Sequence, residues 1–117
     1  MPSDHDAIRR WLNDIRHHIA MAQTFMEGMS YDAFRDDLRT TYAVTRCLEI
    51  ISEASRRLPD ELKARHPLIA WKNMAGAGNV YRHDYEDVTT SLVWVVLEDH
   101  LPMLRIAVEQ ELAALGD

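Results

Sequence analysis

Tyr31–Leu58, YDAFRDDLRTTYAVTRCLEIISEASRRL, is the stretch on which the fold turns. Phe34, Leu38, Tyr42, Thr45, Leu48, Ile51, Ala54 and Leu58 recur three or four apart along it, the spacing of one buried face of an α-helix. Ser30 stands ready to cap this helix, and Pro59 stops it because proline lacks an amide proton and clashes one turn back. On the N-terminal side, Ile8, Trp11, Leu12, Ile15, Ile19, Ala22 and Met26 predict a first helix over 3–27. Ser3 or Asp4 is its N-cap and Gly28 its end.

On the C-terminal side, Pro59 to Pro67 reads as a short helical turn, with one proline at its first position and another closing it. A short third helix follows over 69–75, and Gly76-Ala77-Gly78 then lowers helix propensity and lets another backbone approach. The face from Asn79 to Tyr85 either continues that helix or begins a new turn. A last helix runs from Thr89 or Thr90 to Leu115, with Val93, Val96, Leu97, Leu101, Leu104, Val108, Leu112 and Leu115 on one side. Pro102 is expected to kink it. The chain is therefore expected to be all-α: one domain over 1–117, an antiparallel bundle of three long helices and one short one, with an extra helical turn and a kinked last helix. Trp94 lies off the main stripe, and with Trp11 and Tyr31 it suggests apolar surface that a homodimer would cover.

Composition narrows the function classes. The chain has 117 residues, 47% of them apolar and 27% charged, as in a globular protein. No apolar run reaches the roughly 18–20 residues of a membrane span, and nothing at the N-terminus reads as a signal peptide. The single cysteine, Cys47, sits inside an apolar pattern as a small buried hydrophobe, which fits a reducing cytoplasm. A net charge of −6 argues against broad, non-specific nucleic-acid binding, so RNA or DNA would need a local basic cleft. His83 with Asp87, and Asp14 with His18, are each four apart, but two ligands do not make a metal site. Neither a metal nor a cofactor is expected. Gly76-x-Gly78 lacks both the preceding strand and the third glycine of a dinucleotide fingerprint.

The reactive residues gather in GNVYRHDY, Gly78–Tyr85. If this segment is helical, Asn79 and His83 share a face, with Arg82 beside them. Several landmarks then fall in a recognisable order: the ISEA run of Ile51–Ala54, Pro67 four residues before Trp71, His83-x-Tyr85, and Leu101-Pro102. Together they make the chain resemble the HepT-like toxin family of the HEPN superfamily over nearly its whole length. The resemblance implies an antiparallel four-helix up-and-down bundle that dimerises, with the polar motif of each subunit facing a shared cleft. It also implies a ribonuclease toxin, paired with a nucleotidyltransferase-like antitoxin that silences it by transferring AMP to the motif tyrosine. On that footing His83 is the catalytic histidine, Tyr85 the modification target, and Asn79 the polar residue that follows the motif arginine. The arginine itself is replaced by Gly78, and Arg82 is the cation that supplies charge from another direction.

Metal-independent RNA cleavage needs a base for the ribose 2′-hydroxyl, an acid for the leaving 5′-oxygen and donors for the phosphoryl charge. Histidine, with an unperturbed pKa of about 6.5, suits the first two tasks. Two copies of His83 in a dimer divide them, Arg82 stabilises the phosphorane, and Asn79 orients a phosphate oxygen. The plainer reading has His83 bonding a backbone carbonyl, Arg82 pairing with Asp84 or Glu86, and Tyr81 and Tyr85 as rim aromatics. Glu53 is either a buried carboxylate partnered by His83 or Arg82, or a surface residue. Arg46, two turns earlier, either adds a cation to the cleft or is solvated. The alternative from another class is a non-catalytic HEPN module that docks a nucleotidyltransferase or a nucleotide without cutting RNA.

Overall fold

The computed structural model describes residues 4–75 and 87–116, and all its regular elements are helical. They are α1 (Asp4–Phe25), α2 (Tyr31–Asp36), α3 (Leu38–Arg57), α4 (Asp60–Ala64), α5 (Asp87–Val95) and α6 (Leu101–Ala114). A π-helical turn, Val96–His100, joins α5 to α6. Residues 71–75 are also helical.

α1 buries Leu12, Ile15, Ile19 and Ala22, the face its spacing predicts. Beyond Phe25 the chain turns through Gly28, whose φ of +77° is the left-handed conformation that glycine adopts without penalty. Ser30 then caps α2 by accepting the Ala33 amide at 3.2 Å. Two side-chain bonds fix the direction of the bundle. Arg9, near the start of α1, reaches the Leu115 carbonyl at 3.1 Å, and Gln23, near its end, accepts from Arg105 at 2.8 Å. α1 and α6 are therefore antiparallel. The start of α1 also shares a cavity with Arg57, Pro59 and Glu61, so α3 too runs opposite to α1.

The helix expected over 31–58 is instead two helices. Asp37 leaves helical geometry (φ −102°, ψ 96°) and its carboxylate accepts the Thr40 amide at 3.1 Å, ending α2 and capping α3. Aspartate competes for backbone donors in this way and is a better cap than interior residue. That bond holds its carboxyl below the ordinary carboxylate range. The break resets the helical phase. Phe34 remains buried against Trp94, with ring centroids 5.4 Å apart. Leu38 and Tyr42, expected inside, are 67% and 72% exposed, and the buried face of α3 begins at Val44.

The expected proline turn is α4, with Pro59 as its N-cap rather than its first helical residue. The third helical stretch starts at 71 rather than 69, and its continuation past 75 lies outside the described residues. Pro102 interrupts the last helix as expected, but through the π turn. The Leu101 amide reaches back five residues to Val96, which widens the helix where proline has no donor and needs room. The stripe survives: Val93, Leu97, Leu101, Leu104, Val108 and Leu112 are all buried. Cys47 is buried in the core, and burial raises its thiol pKa. Among the described residues, no helix is long and apolar enough to cross a membrane.

Candidate functional site

Asn79, Tyr81, Arg82, His83 and Tyr85 lie outside the described residues. The described helices define what holds the two ends of their segment. Before it, Met74 is buried in the core and the Ser52 hydroxyl of α3 donates to the Ala75 carbonyl at 2.9 Å. Trp71 joins this anchor to α4: its indole N–H is shared between the Lys63 and His66 carbonyls, each at 3.1 Å. The Pro67–Trp71 spacing is thus the distance from the turn after α4 to the ring that clasps it. After the segment, α5 is seated by Val93 in the core and by Trp94, which meets Tyr31 edge-on at 5.7 Å as well as Phe34. Residues 76–86 therefore connect two fixed points.

Ser52→Ala tests that anchoring. It removes the hydroxyl that holds Ala75, so stability is expected to fall by about 1 kcal/mol. Urea unfolding measures the change; an unaltered midpoint would show that the bond contributes nothing to the fold.

Of the two readings of Glu53, the structure gives the surface one. Its side chain is 51% exposed and meets Arg56 at 2.5 Å and Arg57 at 3.0 Å. The Arg57 hydrogen bond, then the Arg56 charge, holds its carboxyl below the usual range. Arg46 is exposed and 3.6 Å from Glu49. Arg46 and Glu53, seven residues apart, share the outer face of α3. That helix carries Arg39, Arg46, Arg56 and Arg57 against only Glu49 and Glu53, so it is locally basic in a chain of net charge −6.

One polar cluster went unforeseen. Glu111, 8% exposed, receives Arg65 through two of its three guanidinium nitrogens (Nη2–Oε1 2.6 Å, Nε–Oε2 3.1 Å) and His66 Nε2 at 2.6 Å from Oε2. An ionised carboxylate only accepts, so His66 Nε2 carries the proton in this bond. The Arg65 bonds, and secondarily the His66 bond, hold the Glu111 carboxyl below its ordinary range against the opposing effect of burial. A cavity of about 250 Å³ opens beside the pair, lined by Arg65, His66, Leu68, Met103 and Ile106 among others. The signal was present in the sequence: Glu111 lies three residues after Val108 on the buried stripe. Among the described residues, no three His, Cys, Asp or Glu side chains form a metal-binding group.

A family model described as ribonuclease HepT-like matches residues 15–111. The chain is 34% identical over 95 residues to the "Probable ribonuclease HepT" of Thermococcus cleftensis, which covers 81% of this chain and 86% of that protein. A protein named "Putative RNase" from Methanocaldococcus jannaschii is 30% identical over 102 residues, 87% of this chain and 94% of its own. Another so named, from Caldanaerobacter subterraneus, is 33% identical over 85 residues, 73% of this chain and 76% of its own. No solved structure matches the chain. Family model, relatives and helical architecture agree: this chain belongs to the ribonuclease HepT-like family.

Proposed function

We propose that this chain is a metal-independent endoribonuclease, the toxin of a two-gene module, working as a homodimer. The observation that carries the reading is the family match over residues 15–111, a span that includes Asn79, Arg82, His83 and Tyr85. One His83 takes the proton of a ribose 2′-hydroxyl as that oxygen attacks the adjacent phosphorus. The partner subunit's His83 protonates the departing 5′-oxygen. Arg82 balances charge on the phosphorane and Asn79 orients a non-bridging oxygen, with Arg46 and Tyr81 in support. The products end in a 2′,3′-cyclic phosphate and a 5′-hydroxyl. The exposed apolar residues Leu68, Met103 and Ile106, gathered around one cavity, support self-association.

Tyr85 is the site of control in this reading. A nucleotidyltransferase antitoxin joins its phenolic oxygen to the α-phosphate of ATP, pyrophosphate leaves, and the added AMP blocks the cleft. One sequence observation favours a second reading. Gly78 stands where the family motif carries arginine, and a module without that cation would dock its nucleotidyltransferase without cutting RNA.

Expression of the chain without any partner gene separates the two. The nuclease reading predicts arrested growth and new RNA ends in total RNA, both relieved by co-expressing a nucleotidyltransferase antitoxin. Normal growth and intact RNA at confirmed folded expression would leave the docking module.

A further inference from the structure

We propose that the outer face of the first half of α3 is a stacking platform for single-stranded RNA, with Tyr42 as the ring and Arg39 and Arg46 as its phosphate contacts. The assignment deepens the ribonuclease reading and rests on it. At 72% exposure Tyr42 is the most exposed Phe, Tyr or Trp among the described residues, and Leu38 beside it is 67% exposed. Neither belongs to the core, because the Asp37 break turns them outward and α3 buries nothing before Val44.

Arg39, Tyr42 and Arg46 stand three and four apart, so the arginines bracket the ring one turn away on either side. No acidic residue occurs from Leu38 to Leu48. The nearest carboxylates are held mainly by other groups: Asp37 caps Thr40, with a lesser charge interaction with Arg39, and Asp36 lies 3.1 Å from Arg35. Glu49, 21% exposed, approaches Arg46 only to 3.6 Å, and the Arg46 side chain is itself 69% exposed, so a phosphate can reach it. An exposed ring between two cations is the chemistry of sequence-tolerant single-strand binding, in which bases stack and arginines track the backbone. It also answers the charge objection, since a chain of net charge −6 needs a local basic surface. From Tyr42 to Ser52, which holds Ala75 at the entry to residues 76–86, is about 15 Å along the helix axis. A strand stacked on Tyr42 thus runs along α3 towards the level at which the motif segment begins.

The test is fluorescence anisotropy with a short single-stranded 2′-O-methyl RNA, which lacks the attacking hydroxyl and is not consumed. Cleavage of unmodified RNA, light-scattering mass and melting temperature are measured alongside. Tyr42→Ala is expected to weaken binding by roughly tenfold or more, the loss of one base stack, while Tyr42→Phe binds like wild type. Arg39→Ala is expected to weaken binding and lower the magnitude of the salt slope by about 0.7, one phosphate contact on a single strand. Melting temperatures stay unchanged because all three side chains are outside the core. Wild-type cleavage and binding with undiminished affinity in Tyr42→Ala would overturn the platform and leave the ribonuclease standing. A wild type that neither binds nor cleaves RNA would overturn both. A fall in mass in Tyr42→Ala with unchanged RNA affinity would make this face a contact between copies of the chain, which also overturns the proposal.

Discussion

His83→Ala is expected to lower RNA cleavage by roughly 10²–10⁴-fold, the contribution of a positioned general acid or base. On the proposed mechanism both copies of the histidine are lost together in a homodimer, which places the effect toward the upper end of that range. The mutant should bind 2′-O-methyl RNA as tightly as wild type, because stacking on Tyr42 and the α3 arginines do not pass through the imidazole. Loss of kcat with retained affinity is the signature that separates a proton-transfer role from a structural one. Arg82→Ala should lower kcat by a smaller factor if its guanidinium replaces the arginine missing at Gly78. Equal cleavage by wild type and His83→Ala would remove the histidine from the mechanism.

Glu111→Ala is expected to cost roughly 2 kcal/mol of stability, a lower melting temperature by about 5–10 °C. The carboxylate is nearly buried, and its removal leaves His66 and the Arg65 guanidinium without their acceptor. Arg65 is half exposed, so water takes over part of its solvation and keeps the loss below that of a fully buried pair. The pH dependence has a definite sign. The folded Glu111 pKa lies below its ordinary value, so it favours the native state above the unfolded pKa of about 4.3, and that support is lost as pH falls through the folded value. Glu111→Gln therefore narrows its stability gap to wild type as the solution is acidified from neutrality. Urea midpoints at neutral pH and near pH 3.5 measure this; a gap that stays constant or widens in acid would contradict the assignment.

Periodicity read α1 and the last helix well because each presents one uninterrupted stripe, and even the π turn leaves the buried positions of the last helix in place. It failed on α3 for a local reason. Leu38 and Tyr42 fit the continued stripe of Phe34, yet a single Asp37 side chain satisfies an amide better as a cap than in mid-helix, and that break turns both residues outward. Glu53 was ambiguous because an apolar neighbourhood in sequence covers both faces of a helix. Arg56 and Arg57, three and four residues on, were the sign that it faces them in water. Pro102 announced an interruption, but its form depends on which upstream carbonyls the Leu101 amide can reach. The candidate site was legible only through its resemblance to a family. Asn79, Arg82 and His83 give chemistry at a suggestive spacing, whereas the anchors of their segment, Ser52 on Ala75 and Trp71 on the α4 turn, join residues that no local pattern connects.

The most direct measurement is the chemistry of the RNA ends made by purified protein in excess EDTA. The account predicts cleavage without metal, leaving 2′,3′-cyclic phosphate on one fragment and 5′-hydroxyl on the other, since the 2′-oxygen is the nucleophile and histidines move the protons. Intact RNA under these conditions, or cleavage that needs a divalent ion and leaves 5′-phosphate, would contradict it.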